Sequence, residues 1–107
     1  MTIQQNSVET GLQENLGIPT QVELNQNYPN PFNPTSIIRY GVPEISNVRL
    51  EVFDVLGRKV MTLVNNETKQ PGRYNIQFDA GRLASGIYIY RLAVGNKVLT
   101  KQMTLIK

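Results

Sequence analysis

The sequence of 107 residues contains no cysteine, no histidine and no tryptophan. Without cysteine, a disulfide framework and a thiolate metal site are both excluded. Without histidine, the chain lacks the side chain that most often serves as a general base, as a proton switch near neutral pH or as a metal ligand. Any catalysis by this chain would have to use its eight carboxylates, its lysines or its hydroxyl groups. We therefore expect a protein that is not an enzyme, needs no cofactor and has no small-molecule substrate.

Long apolar runs are also missing. No stretch has the length needed to cross a bilayer as a helix, and no window has the period of a long amphipathic helix. The first residues, M-T-I-Q-Q-N-S, have neither the positive charge nor the apolar core of a secretory signal. If the protein is exported, we expect this sequence to be part of a longer precursor.

Charge is distributed unevenly along the chain. The formal net charge is +3, but residues 1–26 hold three acidic residues and no Lys or Arg, and all eleven basic residues lie from Arg39 onward. The basic residues are spread along the chain rather than clustered, which argues against nucleic-acid binding. Residues 1–23 are polar and have no apolar period, so we interpret them as a linker or irregular arm before a single domain of residues 24–107.

Residues 27–34, N-Y-P-N-P-F-N-P, form the most distinctive segment, which we call the proline strap. Its three prolines remove three backbone donors and fix φ near about −65°. The residue before each proline is driven out of the helical region, so the strap should be stiff and extended or turned. Its two rings either close one end of the core or stand exposed for recognition. The strap residues of interest are Tyr28, Pro29, Pro31, Phe32 and Pro34.

Apolar and polar residues alternate with a period of two in residues 37–42, 48–53 and 73–78, and residues 22–24 could form a first short strand. This alternation is typical of half-buried antiparallel strands. About seven short strands at this spacing predict an all-β fold, an immunoglobulin-like antiparallel sandwich. Such sandwiches contain a corner tyrosine at the start of a core strand. Tyr88 fits that position, with Tyr90 in the place of the core cysteine.

Two turns predict hairpin registers. A two-residue turn at Leu56-Gly57 would place Val52 opposite Met61, Leu50 opposite Leu63, and Asp54 opposite Lys59. A second turn at Gly95-Asn96 would place Leu92 opposite Leu99, Tyr90 opposite Lys101, and Tyr88 opposite Met103. Both registers bring apolar residues together on one face, as a core requires. The polar residues 65–72 predict a connection between two strands.

Few side chains suggest chemistry. Asp54 and Asp79 follow strands, but calcium prefers six to eight oxygen ligands and no D-x-D-x-D loop is present. We assign Asp54 to a cross-strand pair and Asp79 to the turn A-G-R-L-A-S-G. Ser85 lacks both the G-x-S-x-G pattern and a histidine to activate it. Tyr88 and Tyr90 share an apolar face, so we assign them to the core rather than to a stacking platform.

Several segments occur in an order that points to one family. The strap is followed by T-S-I-I-R-Y-G-V-P, by V-R-L-E-V-F-D-V-L-G-R-K-V, by P-G-R-Y and by L-A-S-G-I-Y-I-Y-R-L, and the sequence ends in K-Q-M-T-L-I-K. From residue 24 to 107, the sequence resembles the type A C-terminal sorting domains of the bacterial type IX secretion system. Only the proline strap is specific by itself, whereas the ordered set is highly specific.

The resemblance implies an immunoglobulin-like sandwich related to a domain of flagellar hook-capping proteins. It implies a non-catalytic signal at the end of secreted cargo proteins of Bacteroidetes-type bacteria, recognised by the outer-membrane translocon. A sortase-like peptidase would cut in the arm before residue 24 and join the cargo to a surface lipopolysaccharide. The cargo would then be secreted or held at the cell surface, after the periplasm and the outer membrane. The residues that the resemblance assigns to recognition are Gly72, Tyr74, Gly86, Tyr88, Lys101 and Lys107.

We expect the last strand, near residues 98–106, to have one free edge to which a translocon could add a strand. Lysine is a common guard of such edges. Removing the last five residues should then abolish export while the sandwich still folds. Two alternatives remain open: a self-associating immunoglobulin-like subunit that exchanges strands through the arm or the free edge, and a carbohydrate-binding module that uses Tyr28, Phe32 and Phe53.

Overall fold

The computed structural model describes residues 18–107, so most of the predicted arm, residues 1–17, lies outside the described residues. The described part contains seven strands. They are β1 (Glu23–Leu24), β2 (Thr35–Val42), β3 (Ser46–Phe53), β4 (Lys59–Lys69), β5 (Gly72–Asp79), β6 (Gly86–Val94) and β7 (Lys97–Leu105). Within residues 18–107, no helix is long and apolar enough to cross a membrane.

The strands form two antiparallel sheets. One sheet has the order β1-β2-β5 and the other has the order β4-β3-β6-β7. This confirms the all-β prediction with about seven strands in two sheets. The immunoglobulin-like relation stays a prediction.

The core lies between the sheets and is built from the alternating residues of each strand. Side chains at every second position of β2, β3 and β6 are buried, as the period-two pattern predicts. The largest fully buried side chains are Tyr90, Phe32, Ile38, Leu50, Leu92, Met103 and Leu105. The last strand therefore contributes two core residues, which matters for any experiment that shortens the chain.

The β6–β7 hairpin has the predicted register. Leu92 lies opposite Leu99, Tyr90 opposite Lys101, and Tyr88 opposite Met103. The turn residue Gly95 has a positive φ of 57°, a conformation that favours glycine.

The β3–β4 hairpin keeps only one of its three predicted pairs. Val52 lies opposite Met61 as predicted, but Leu50 lies opposite Val64 rather than Leu63 because the register shifts within the ladder. The turn is also one residue longer. The Asp54 N–H donates to the Arg58 carbonyl at 2.9 Å, which encloses a three-residue loop, and Gly57 has a positive φ of 83°. Such loops commonly end in a residue of this conformation.

The predicted pair of Asp54 with Lys59 is wrong. The longer loop places Arg58 beside Asp54, with its Nε 2.8 Å from the Asp54 carboxylate. Lys59 instead lies opposite Phe53 and bonds Glu51 at 3.3 Å. Asp54 Oδ1 also accepts the Leu56 and Arg58 N–H groups, so this carboxylate organises the loop.

The polar connection predicted for residues 65–72 is also wrong for most of its length. β4 continues to Lys69 and pairs there with the start of β3. Backbone hydrogen bonds hold this edge strand whatever its side chains, and Asn66 takes a positive φ of 53° where the register shifts. Alternation in hydrophobicity is absent because few of these side chains meet the core.

Candidate functional site

The two rings of the proline strap have different environments. Phe32 is 2% exposed and packs edge-on against Phe78, with ring centroids 5.4 Å apart. Tyr28 is 78% exposed. The interpretation that the rings close one end of the core is therefore confirmed for Phe32 and wrong for Tyr28, whose ring lies on the surface.

Buried hydrogen bonds hold the beginning of the strap against β6. The backbone N–H of Asn27 donates to the Tyr90 hydroxyl at 2.8 Å, and this hydroxyl donates to the Asn25 carbonyl at 2.7 Å. The Asn27 side-chain amide donates to Ser36 Oγ at 3.0 Å and to the Pro29 carbonyl at 3.1 Å. Burial raises the pKa of the Tyr90 hydroxyl to about 12, so it stays protonated and remains a donor at neutral pH.

The second half of the strap pairs with the outer edge of β7. The Phe32 N–H donates to the Thr104 carbonyl at 3.0 Å, and the Ile106 N–H donates to the Phe32 carbonyl at 2.9 Å. The Asn30 side chain accepts the Thr104 N–H at 3.0 Å. Gln26 Nε2 donates to the Gln102 carbonyl at 2.7 Å. The strap thus closes the end of this edge.

The remaining part of the β7 edge, residues 98–102, is open, and we call it the open edge. β7 is the last strand of its sheet. In an antiparallel ladder, alternate residues direct their N–H and C=O groups away from the neighbouring strand. Thr104 bonds the strap, so Val98 and Thr100 have the same outward orientation. No strand among residues 18–107 pairs with this outer side of β7. The predicted free edge is therefore present at residues 98–102, where the Gln102 carbonyl accepts a bond from the Gln26 side chain, and the prediction is wrong for residues 104–106.

The two lysines assigned by resemblance have different surroundings. Lys107 Nζ donates to the carbonyls of Gly81 at 2.6 Å and Leu83 at 2.9 Å, and its N–H donates to Ser85 Oγ at 3.1 Å. Lys107 thus fastens the end of the chain to the β5–β6 connection. Lys101 is half-buried on β7 and lies opposite Tyr90.

The two glycine–tyrosine pairs assigned by resemblance build the same corner twice. Gly72 and Gly86 begin β5 and β6 with φ values of 154° and 153°, which glycine adopts more easily than other residues. Two residues later, the hydroxyls of Tyr74 and Tyr88 each donate at 2.6 Å to the carbonyl oxygen four residues upstream. These corners fix where β5 and β6 begin.

The model of one protein family, described as the secretion system C-terminal sorting domain, matches residues 26–107. The chain belongs to this family. Among solved structures, the crystal structure of CopC from Methylosinus trichosporium OB3b is similar, with a TM-score of 0.47 and 14% identity over 79% of this chain and 91% of CopC. No curated protein matches the chain.

Membership of this family assigns the domain a general function. It is a C-terminal signal for type IX secretion, it interacts with that machinery, and its cargo is a secreted or cell-surface protein.

Within residues 18–107, no group of three or more acidic side chains could hold a metal ion. Asp79 accepts the Gly81 N–H at 2.8 Å, as predicted for a turn residue.

Sequence reasoning missed one buried carboxylate in the sorting domain. Glu51 is 4% exposed although it lies on the outer face of its sheet, because Arg91 and Lys59 cover it with nitrogen–oxygen distances of 3.2 and 3.3 Å. The Arg91 guanidinium also lies 4.6 Å from the centroid of the Phe53 ring. Arg91 comes from β6, forty residues away, so alternation along β3 could not reveal this cluster.

The Glu51 cluster predicts a stability loss in acid. Burial by itself raises the pKa of Glu51, but hydrogen bonds from Arg91 and Lys59 outweigh it, and the pKa is lowered. A lowered pKa contributes stability above the unfolded value of about 4.3 and loses it as pH falls through the folded value. We expect Glu51→Gln to cost about 1–3 kcal/mol at pH 7 and to reduce the difference in melting temperature between pH 7 and pH 3. Glu44→Gln, at an exposed carboxylate outside the cluster, is the control, and equal pH dependence of both variants would contradict the assignment.

Three exposed apolar residues line a shallow cleft between the β3–β4 loop and the start of β6. Val55 and Leu56 form the tip of the β3–β4 loop, and Ile87 is the second residue of β6. Exposed aromatic rings, which a carbohydrate-binding module would need, are scarce. Phe32 is buried and Phe53 lies under Arg91, which leaves Tyr28 alone of the three candidates.

Proposed function

We propose that the type IX translocon recognises this domain by adding a strand to the open edge of β7, residues 98–102. The observation that carries the proposal is the row of outward N–H and C=O groups at Val98 and Thr100, which no other strand among residues 18–107 uses. Backbone groups at a sheet edge bind an extended partner segment through main-chain hydrogen bonds. Recognition by this route does not depend on the cargo, because the partner contacts the sorting domain alone.

The residues assigned by resemblance have distinct roles in this proposal. Lys101 stands at the open edge and contacts the partner. Lys107 contributes through its bonds to the β5–β6 connection, which hold the end of β7 in place. Gly72 and Tyr74, and likewise Gly86 and Tyr88, set the corners from which the paired strands start.

We further propose that a sortase-like peptidase removes the domain from its cargo at a bond before residue 24 and that the cargo is then joined to a surface lipopolysaccharide. The first strand, β1, starts at Glu23 and pairs with β2. Residues 18–22 therefore lie outside both sheets. A cut there leaves residues 24–107 intact as one unit. We assign no catalytic role to the domain itself.

A secretion assay tests the proposed strand addition. The chain is fused behind a signal peptide and a reporter in a type IX-competent host, and Thr100→Pro is compared with Thr100→Ala. The N–H of Thr100 points outward, so proline removes a donor from the open edge without breaking the β6–β7 ladder. We expect at least a tenfold loss of exported reporter for Thr100→Pro, about 1.4 kcal/mol or more, and normal export for Thr100→Ala.

Both purified variants should melt within a few degrees of the unchanged domain. Val98→Pro is a second edge variant, to be used if Thr100→Pro does not fold. Normal export of a folded proline variant would rule out recognition through the open edge.

A second candidate function is self-association by strand exchange. One observation favours it: the strap already pairs with β7 of its own chain through the bridge between Phe32 and Leu105, and the same pairing could form between two copies. Gel-filtration mass with and without residues 1–26 separates the candidates. A monomer in both cases supports the sorting signal alone. An oligomer that needs residues 1–26 supports exchange through the arm, and an oligomer that forms without them supports exchange through the strap.

A further inference from the structure

The open edge carries a charge on the side that faces the core. Lys101 lies between Leu99 and Met103 in the core-facing row of β7, and it is half-buried. No ion pair or hydrogen bond joins its ammonium group to any other part of residues 18–107. Arg58, in contrast, has its carboxylate partner within the domain.

A lysine in this position affects any strand that pairs with the edge. An inward-facing charge on an edge strand prevents pairing with an ordinary apolar strand, because the charge would be desolvated without a partner. An opposite charge directly across the new ladder would instead stabilise the pair. The same lysine can therefore reject most strands and accept one kind.

We propose that the open edge binds an extended segment of the secretion machinery that carries a carboxylate opposite Lys101. The inference rests on the strand addition proposed above and specifies its partner. Apolar side chains two positions on either side of the carboxylate would face Leu99 and Met103, because alternate residues share a face. The strap limits the segment at its other end, since it occupies the edge from Thr104 onward.

The β7 edge of a second copy of the chain does not meet this requirement. β7 has the sequence K-V-L-T-K-Q-M-T-L and contains no acidic residue, so no register of β7 against β7 brings a carboxylate to Lys101. With Thr100 at the two-fold axis, each lysine would face Leu99 of the other copy. Lys101 therefore disfavours the edge-to-edge dimer while leaving the edge open to an acidic partner.

Three synthetic peptides test the preference. They have the sequence acetyl-V-T-X-T-V-T-amide with Glu, Gln or Lys at X. An antiparallel peptide with X opposite Lys101 then spans residues 98–103 and stops before the strap at Thr104. Each peptide is titrated into the isotope-labelled 107-residue chain and followed by NMR. We expect the Glu peptide to shift the amide signals of Val98, Thr100 and Gln102 and to bind about fivefold more tightly than the Gln peptide, with weaker binding still for the Lys peptide.

Charge reversal provides the decisive comparison. In Lys101→Glu, the order of affinities should reverse, so that the Lys peptide binds best. Lys97→Glu makes the same change in net charge on the same face of β7 and should leave the original order intact. An unchanged order in Lys101→Glu, or no shifts at residues 98–102 with any peptide, would overturn the inference.

Export measurements separate this inference from the proposed function. We expect at least a fivefold loss of exported reporter for Lys101→Glu and normal export for Lys101→Arg, with both purified variants folded. If the unchanged domain is exported and Lys101→Glu is exported equally well, the carboxylate partner is wrong while the sorting function stands. If the unchanged domain is not exported, the sorting function itself fails.

Discussion

Replacement of Phe32 by alanine is expected to lower the free energy of unfolding by about 3–5 kcal/mol, which is the usual cost of removing a buried phenylalanine ring. The ring is 2% exposed and packs on Phe78, and the backbone of Phe32 pairs with β7. Because small domains are stable by only about 5–15 kcal/mol, this loss is a large share of the total stability. Urea unfolding followed by circular dichroism measures the loss.

The same strap supplies the control. Tyr28→Ala removes the other aromatic ring four residues earlier, but that ring is 78% exposed. We expect its effect to stay within about 0.5 kcal/mol. Equal losses for the two variants would mean that Phe32 does not anchor the strap as described.

Deletion of residues 103–107 is expected to abolish cooperative folding. Met103 and Leu105 are 0% and 1% exposed, and loss of each buried side chain costs about 2–5 kcal/mol. The deletion also removes the Thr104 and Ile106 groups that bond Phe32. Together these losses reach the whole stability of a domain of this size. Thermal unfolding of the purified, shortened chain should show no transition.

Deletion of Lys107 alone is the matched control. It removes the bonds to Gly81, Leu83 and Ser85 at the surface but no core residue, so we expect a loss of about 1 kcal/mol and a normal transition. A cooperative transition in the chain that lacks residues 103–107 would contradict the core assignment of Met103 and Leu105.

The core positions of Met103 and Leu105 argue against the expectation that the sandwich would fold without its last five residues. The last strand is both a candidate signal and part of the core, so loss of export after truncation would not distinguish recognition from folding. Single substitutions on the open edge, such as those at Thr100 and Lys101, keep Met103 and Leu105 and separate the two effects.

Much of the fold could be predicted because the information is local. Alternation along β2, β3 and β6 follows directly from the geometry of a strand with one buried face. The Gly95-Asn96 turn fixed the β6–β7 register because a two-residue loop allows only one pairing of the residues that flank it. The β3–β4 register could not be fixed in this way, because a three-residue loop and register shifts within the ladder replaced the predicted turn.

The candidate site was predictable only in outline. The stiffness of the strap follows from its prolines, but its path along β7 depends on hydrogen bonds between residues more than seventy positions apart, such as Asn30 with Thr104. The buried position of Glu51 depends in the same way on Arg91 from another hairpin. Nothing near these residues in sequence encodes such contacts.

By itself, the sequence determined that this protein is an all-β domain without thiol or imidazole chemistry, because composition and period-two alternation are properties of the chain alone. The ordered motifs determined its family. Only the tertiary structure decided which part of the last strand is available to a partner. The proline strap closes one half of the β7 edge and leaves Val98 and Thr100 open, and that division exists only once the strap and the strand have packed side by side.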